Sequence, residues 1–320
     1  MLIRQVVPAF AWFIVALSLL PASLATALGQ EPPAAPPATS EPEAAPIETD
    51  DPATAPDEET RKRRLFKRLG PQALTPEEQR EAARLSRIAA KQGTDPTAIL
   101  GRVQVAYEYT ALTQGSRTNT FVERVDLAYR GDWVLRVDAP QVWLDPNLPR
   151  TSNQSGMSDL FARVGSLVYK APGYAFFAGM DFGFPTAVYP ALGLGKYTIG
   201  PLAATARAFP NLHSILFGFL EHQLSVGGDP SRQNVQFSHL GAIWNTVWSE
   251  RWWTQVGPSF GLDWERNEKT NMNLEFEGGW SITREWRVFV HPAVGLWGRD
   301  VLGGYDWAVQ AGARRMFPSF

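Results

Sequence analysis

Four histidines, His213, His222, His239 and His291, are the side chains best suited to move a proton near neutral pH. A lipid-modifying hydrolase of the membrane surface would need one of them beside a serine or a water, near the edge of an apolar face. No such Ser/His spacing is recognisable along the chain, and a lone histidine in a strand is more often a satisfied structural residue. Zero cysteines removes disulfides, thiolate metal sites and cysteine nucleophiles together. No motif for a metal ion or cofactor stands out, and the chain reads as something other than an enzyme.

A second set of residues does chemistry of another kind. Arg102, Glu108, Arg124, Asp126, Arg136, Asp138, Asp181, Asp263, Glu275, Glu277, Arg287 and His291 all stand opposite apolar residues in alternating segments. Charges of both signs on one face can bind or pass a small solute, or they can simply satisfy one another in a packed interior.

The elements that place them are strands. MNLEFEGGWSI, residues 272–282, puts Met272, Leu274, Phe276, Gly278, Trp280 and Ile282 on one side and Asn273, Glu275, Glu277, Gly279 and Ser281 on the other. Twelve such segments follow one another from about residue 98 to the C-terminus. Short connections, such as Arg130-Gly131-Asp132, Ser249-Glu250-Arg251 and Thr283-Arg284-Glu285, alternate with longer ones, such as 144–157, 185–195 and 298–304.

Segments of ten or more residues exceed the usual ~5–6 of a soluble sandwich and match the length that crosses a bilayer at a tilt. Tryptophans bracket them: Trp133 and Trp143, Trp252 and Trp264, Trp286 and Trp297. Two aromatic rows and a short/long alternation predict an all-β fold, a closed antiparallel up-and-down transmembrane β-barrel of about 12 strands. Closure is required because lipid cannot hydrogen-bond a bare strand edge. The oily face then meets lipid and the charged face looks into the bore. In the hairpin turning at Thr283–Glu285, pairing Ile282 with Trp286 sets Trp280 opposite Val288, Phe276 opposite Pro292, Leu274 opposite Val294 and Glu277 opposite His291. Either Phe317 or Phe320 supplies the terminal aromatic of the last strand.

The N-terminal part has a different organisation. Residues 1–27 carry Arg4, an apolar run and an Ala25-Thr26-Ala27 step, the order of a signal peptide that directs the chain out of the cytoplasm. Residues 28–74 are a Pro/Ala/Glu-rich spacer with little to bury, expected to be disordered. It ends in a basic run whose Arg61, Lys62, Arg63 and Arg64 either touch lipid headgroups or cell-wall polymer or are a solvated charge run. Residues 75–93 read as one short helix, with Thr75 as N-cap, Pro76 at the first position, Glu78 closing a capping box and Gly93 as the stop. Its apolar stripe of Ala82, Leu85, Ile88 and Ala89 is narrow and calls for a surface to lie against. Residues 98–320 form the barrel. The formal net charge of -2 gives no basic face for nucleic acid.

Four stretches, SDLFARVGSLVYK, AGMDFGFPTA, LGLGKYTIGP and LSVGGDPSRQNV, resemble the outer-membrane family named for the meta-cleavage pathway of phenol degradation. Asp159, Pro185, Thr186, Gly193, Gly195, Gly228, Asp229 and Arg232 fall on its motif positions, while Ser158 stands where glycine is usual and Ala187 follows Pro185-Thr186. The resemblance implies an outer-membrane barrel of a Gram-negative cell that takes up hydrophobic or aromatic compounds through a narrow passage. Its partners would be outer-membrane lipid and a small solute. The other readings are the lipid-modifying hydrolase and a structural barrel tethered to the cell wall.

Overall fold

The structure is a computed structural model that describes residues 74–149 and 151–318. The signal peptide, nearly all of the spacer, the run Arg61 to Arg64, and Phe320 lie outside the described residues.

One helix precedes a single sheet. Helix α1 spans Pro76–Gln92. The strands are β1 Gly101–Ala111, β2 Arg117–Tyr129, β3 Trp133–Asp145, β4 Gln154–Met157, β5 Leu160–Ala171, β6 Tyr174–Phe184 and β7 Lys196–Phe209, followed by β8 Ser214–Gly228, β9 Gln236–Val247, β10 Trp252–Asp263, β11 Lys269–Ser281, β12 Trp286–Trp297 and β13 Trp307–Phe317. Each strand pairs antiparallel with its neighbours, and β1 pairs with β13 from Gly101↔Phe317 to Ala111↔Trp307, which closes the sheet. Short β4 lies on β3 above β5, with Ser158 and Asp159 left over between them: β3 pairs Gln141↔Met157 and then Asp138↔Phe161. That irregularity makes β4 and β5 one interrupted strand, so the barrel wall counts twelve.

The connections alternate strictly. Residues 130–132, 172–173, 210–213, 248–251 and 282–285 gather at one end, and 112–116, 146–153, 185–195, 229–235, 264–268 and 298–306 at the other. The ends are termed the short-turn end and the long-loop end below. Ten residues separate Trp133 from Trp143. At about 3.3 Å per residue and a tilt of about 40°, their two rows are about 25 Å apart.

Alternation sorts the side chains as the period of two requires. Val105, Leu135, Phe276, Val290 and Leu296 are exposed on the outside, whereas Asp126, Asp181, Asn245, Glu277 and Arg314 are buried on the inside. In the β11–β12 hairpin Trp280 pairs with Val288 and Leu274 with Val294, and Ile282 N–H donates to Trp286 O at 3.0 Å, the register that the turn dictates. One irregularity, where Asn273 pairs with Gly295 but Met272 with Trp297, brings Trp297 outward despite its odd number. Phe317 ends β13.

Helix α1 begins with the full capping box. Glu78 N–H donates to Thr75 Oγ1 at 3.3 Å, and Thr75 N–H donates to a Glu78 carboxylate oxygen at 2.8 Å. It stops at Gly93, whose φ of 75° lies in the left-handed region that glycine adopts without strain. The surface that the apolar stripe calls for is the inner wall of the barrel. Ala82, Leu85, Ile88 and Ala89 pack on the inward side chains Ala175, Ala206, Ala208, Ile215, Phe217 and Val247, so α1 sits inside the short-turn mouth. Small residues on β6 and β7 make the room for it.

The capping box titrates. The Thr75 backbone N–H holds the Glu78 carboxyl below the usual carboxylate range. A depressed folded value means that the contribution is complete above the unfolded carboxyl's ~4.3 and is lost as pH falls through the lower folded value. Hydrogen-exchange protection in the first turn of α1 is therefore expected to fall as pH drops below about 4.3, while the last turn keeps its protection.

Candidate functional site

The inner wall carries two groups of charge. On β1, β2 and β3, Asp126 accepts from Arg102 Nε at 2.7 Å and Arg136 Nε at 2.8 Å. Arg124 forks onto Asp138 at 2.8 and 2.7 Å. The row continues through Arg163 on β5, which grips Asp181 on β6 at 2.6 and 2.8 Å and reaches Glu221 on β8 at 3.4 Å. Planar guanidinium forks suit this because each fixes two oxygens at once.

The facing group is centred on Glu277. Its oxygens accept from Trp253 Nε1 at 2.8 Å and Arg314 Nη2 at 2.8 Å, and His291 Nδ1 lies at 3.8 Å. His291 Nε2 is 3.3 Å from Glu275, which also accepts from Ser259 Oγ at 2.8 Å. Arg314 lies over the Phe289 ring at 4.1 Å. Glu108 accepts from Gln310 at 2.9 Å, Asp263 pairs with Arg266 at 2.7 Å, and Arg287 donates to Arg284 O at 2.8 Å. All twelve residues singled out on the charged face thus point inward, and the barrel brings nine of them into two clusters. Glu108, Asp263 and Arg287 stand apart.

Arg163, Glu221, Trp253 and Arg314 belong to the same clusters without having been singled out. Arg163 sits in a segment whose alternation breaks between Leu167 and Tyr169, and Trp253 follows the outward Trp252 in a Trp-Trp pair whose inward member is chosen only by register. Arg314 follows a stretch of small residues and adjoins the outward Arg315, so only the pairing with Gln104 and Arg287 fixes its face.

Both mouths are narrowed from within. At the short-turn end the chain after α1 crosses the bore. Gln92 Nε2 donates to Ser249 O at 3.0 Å, Gly93 O accepts from Arg314 at 2.8 Å and Thr94 O from Gln255 at 3.2 Å. Ile99 then packs on Ala128, Phe177, Leu202 and Ala204 of the far wall. At the long-loop end, loop 185–195 lies on the inner side of β4, where a Cβ on inward-facing Gly156 would collide with Val188. Loop 298–306 is drawn in as well, by Asn271 donating to Leu302 O at 2.5 Å and Asn273 to Gly303 O at 3.1 Å.

The eight motif residues converge on loop 185–195. Asp159 accepts from Ala187 N–H at 3.1 Å and Leu194 N–H at 2.6 Å. Thr186, which follows Pro185, accepts from Leu160 N–H at 2.9 Å and donates to Ser158 O at 3.2 Å. Arg232 donates to Gly193 O at 2.6 Å, and Asp229 N–H to Gly195 O at 2.9 Å. Gly228 pairs with Lys196 where β7 meets β8. The network ties the loop to the β4–β5 irregularity and to loop 229–235, so these residues hold a constriction in place.

One histidine has the neighbour that sequence spacing did not reveal. On the outer face, His222 Nδ1 lies 2.7 Å from Ser238 Oγ, which also accepts from Trp264 Nε1 at 2.9 Å. The two are directly opposed across β8 and β9. Backbone N–H groups around Ser238 are spent in the ladders to β8 and β10, which leaves none to stabilise an oxyanion. His213 lies 3.6 Å from Glu81, and His239 packs between the rings of Phe219 and Phe237 at 5.0 and 6.3 Å.

No family model and no curated protein matches the chain. Among solved structures, an outer membrane channel from Pseudomonas putida F1 matches with a TM-score of 0.55 at 11% identity, covering 68% of this chain and 95% of that one. The NanC porin matches at 0.48 and 9%, covering 67% and 98%, and the KdgM porin in complex with disordered oligogalacturonate at 0.44 and 7%, covering 68% and 99%. At 11% identity the likeness to the Pseudomonas channel is one of fold, a closed β-barrel of the outer-membrane type.

Proposed function

We propose that this chain is an outer-membrane channel that passes small solutes, hydrophobic or aromatic ones in particular, through a bore narrowed at both mouths. The observation that carries this reading is the sorting of side chains on one closed wall. An apolar belt lies outside between two aromatic rows, and charged clusters lie inside. Such a belt fits the hydrocarbon layer of a bilayer. Twelve strands enclose more space than the ~8 that side chains can fill and less than the 16–18 of an open porin. Support for an aromatic solute comes from the family resemblance and from the inward rings of Phe219, His239, Phe237, Phe177 and Phe289 among the charges.

The short-turn end is assigned to the periplasm, where tight turns belong. Asn267→Cys is expected to react with an impermeant maleimide on intact cells and Glu250→Cys only after lysis; the reverse pattern would invert the topology. In planar bilayers the full chain should give small, discrete conductance steps. A variant lacking residues 76–93 should give steps several times larger, because α1 and the following turn no longer fill the mouth. Absence of steps from both proteins, each shown to be folded, would refute the channel reading.

A further inference from the structure

A carboxylate interrupts the outer belt near its middle. Glu123 lies mid-strand on β2 and faces outward, in a row with Val105 of β1 and Ala139 of β3. Ala139 is six residues from Trp133 and four from Trp143, which sets Glu123 about 15 Å inside one aromatic row and about 10 Å inside the other. Among the described residues it is the one carboxylate that faces outward between the rows. The outward cations Arg207 and Arg315 lie level with Tyr174 and Trp286, at the edge of the belt.

Diagonally across the β2–β3 pair stands Gln141, opposite Phe121 and also exposed. Glu123 and Gln141 make no hydrogen bond within the described residues. Two polar side chains left bare against acyl chains each cost free energy that nothing in the chain offsets. Small residues also lie in this face, among Val105, Tyr107, Val125 and Val137. Ala139 stands opposite Glu123 and beside Gln141 on the outer face, and beyond β1 the outward residues Ala311 and Ala313 stand opposite Tyr107 and Val105. Across the next seam Val288 and Val290 of β12 stand opposite Ala313 and Ala311, and Val256 of β10 and Phe276 of β11 continue the cover of large apolar side chains.

We infer that the outer face formed by β13, β1, β2 and β3 is covered by the same face of a second copy of this chain. This inference rests on the membrane reading above. A carboxylate only accepts hydrogen bonds, and a carboxamide beside it brings two donors. The patch is therefore complementary to itself. A two-fold axis along the membrane normal, under which one patch meets itself, lays each Glu123 against Gln141 of the other copy. The alanines let the two walls approach closely, the role that small residues play wherever membrane segments pack without a hydrophobic driving force. An acidic or basic partner of another kind would leave one of the two polar groups unmatched.

The test uses the full-length protein, whose lack of cysteine makes single labels clean. Wild type in lipid nanodiscs is expected to have the native mass of two chains. Ala139→Cys and Gln141→Cys should cross-link to a homodimer with a short bis-maleimide in membranes, and Phe276→Cys on β11, two strands beyond β13, should not. Glu123→Leu should float with membranes and migrate as a folded barrel, yet dissociate about tenfold more readily, a change worth about 1.4 kcal/mol. A native mass of one chain, equal cross-linking at 139 and 276, a dimer indifferent to Glu123→Leu, or cross-links to a different protein would each overturn the proposal. The wild-type mass and the cysteine pattern decide the matter even if Glu123→Leu fails to fold. Protein that does not float with membranes would overturn the channel reading as well; floating, conducting monomers would overturn the pairing alone.

Discussion

Phe276→Arg is expected to cost about 2–4 kcal/mol of barrel stability, the penalty of a guanidinium near mid-bilayer. Phe276 is 43% exposed on the outside and pairs with Val256 in the middle of the belt. Its neighbour Glu275 faces the bore, where it meets Ser259 and His291. Glu275→Arg should leave the denaturation midpoint of the detergent-folded barrel much less changed and should alter ion selectivity in planar bilayers instead. Equal loss of stability from both variants would contradict this assignment of the two faces.

A comparable loss is expected from Arg314→Leu. Arg314 and Glu277 are 4% and 7% exposed, and the guanidinium also holds Gly93 O and covers the Phe289 ring. Removing one partner of a buried pair leaves the other charge stranded, which typically costs about 3–5 kcal/mol. The double variant Arg314→Leu/Glu277→Leu should recover a large part of that loss, since two apolar groups replace two charges together. A single-variant loss below about 1 kcal/mol in urea or guanidinium titrations would contradict the burial of the pair. The same variant frees Gly93 from β13, so it should also raise conductance, which Phe276→Arg should not.

The barrel was legible because each signal repeats along the wall. The period of two recurs in every long strand, the tryptophans recur at strand ends, and the hairpin turns fix register one pair at a time. Where a single residue breaks the period, reading stopped. Ser158 and Asp159 shift the pairing by one and hid β4 within what read as a loop, and the irregularity at Leu167–Tyr169 obscured the face of Arg163. Within the inward clusters the hairpin register set Glu277 opposite His291, which lie 3.8 Å apart, but the rest were legible only as a set of charges, because a face does not say which residues of non-adjacent strands meet. His222 and Ser238 are sixteen residues apart and adjacent only across strands. The capped helix was plain in Thr75, Pro76, Glu78 and Gly93, yet its site was not. Its complement is a run of alanines on β6 and β7, and alanines in a strand carry no mark of what covers them.

The β1–β13 seam also fixes an order of events. Its partners, from Gly101 with Phe317 to Ala111 with Trp307, are about as far apart as the barrel sequence permits. Contacts of such separation form late, after the hairpins between them. Helix α1 ends at Gln92, only nine residues before β1 begins, so it travels with the strand that makes the final seam. It is therefore enclosed as the wall shuts. Deuterium pulse labelling during refolding should find the amides of α1 gaining protection together with those of β1 and β13, and after those of the β9–β12 hairpins. An obstruction installed in this way cannot be left behind by a correctly assembled chain: every molecule that completes its last seam is born with its mouth already occupied.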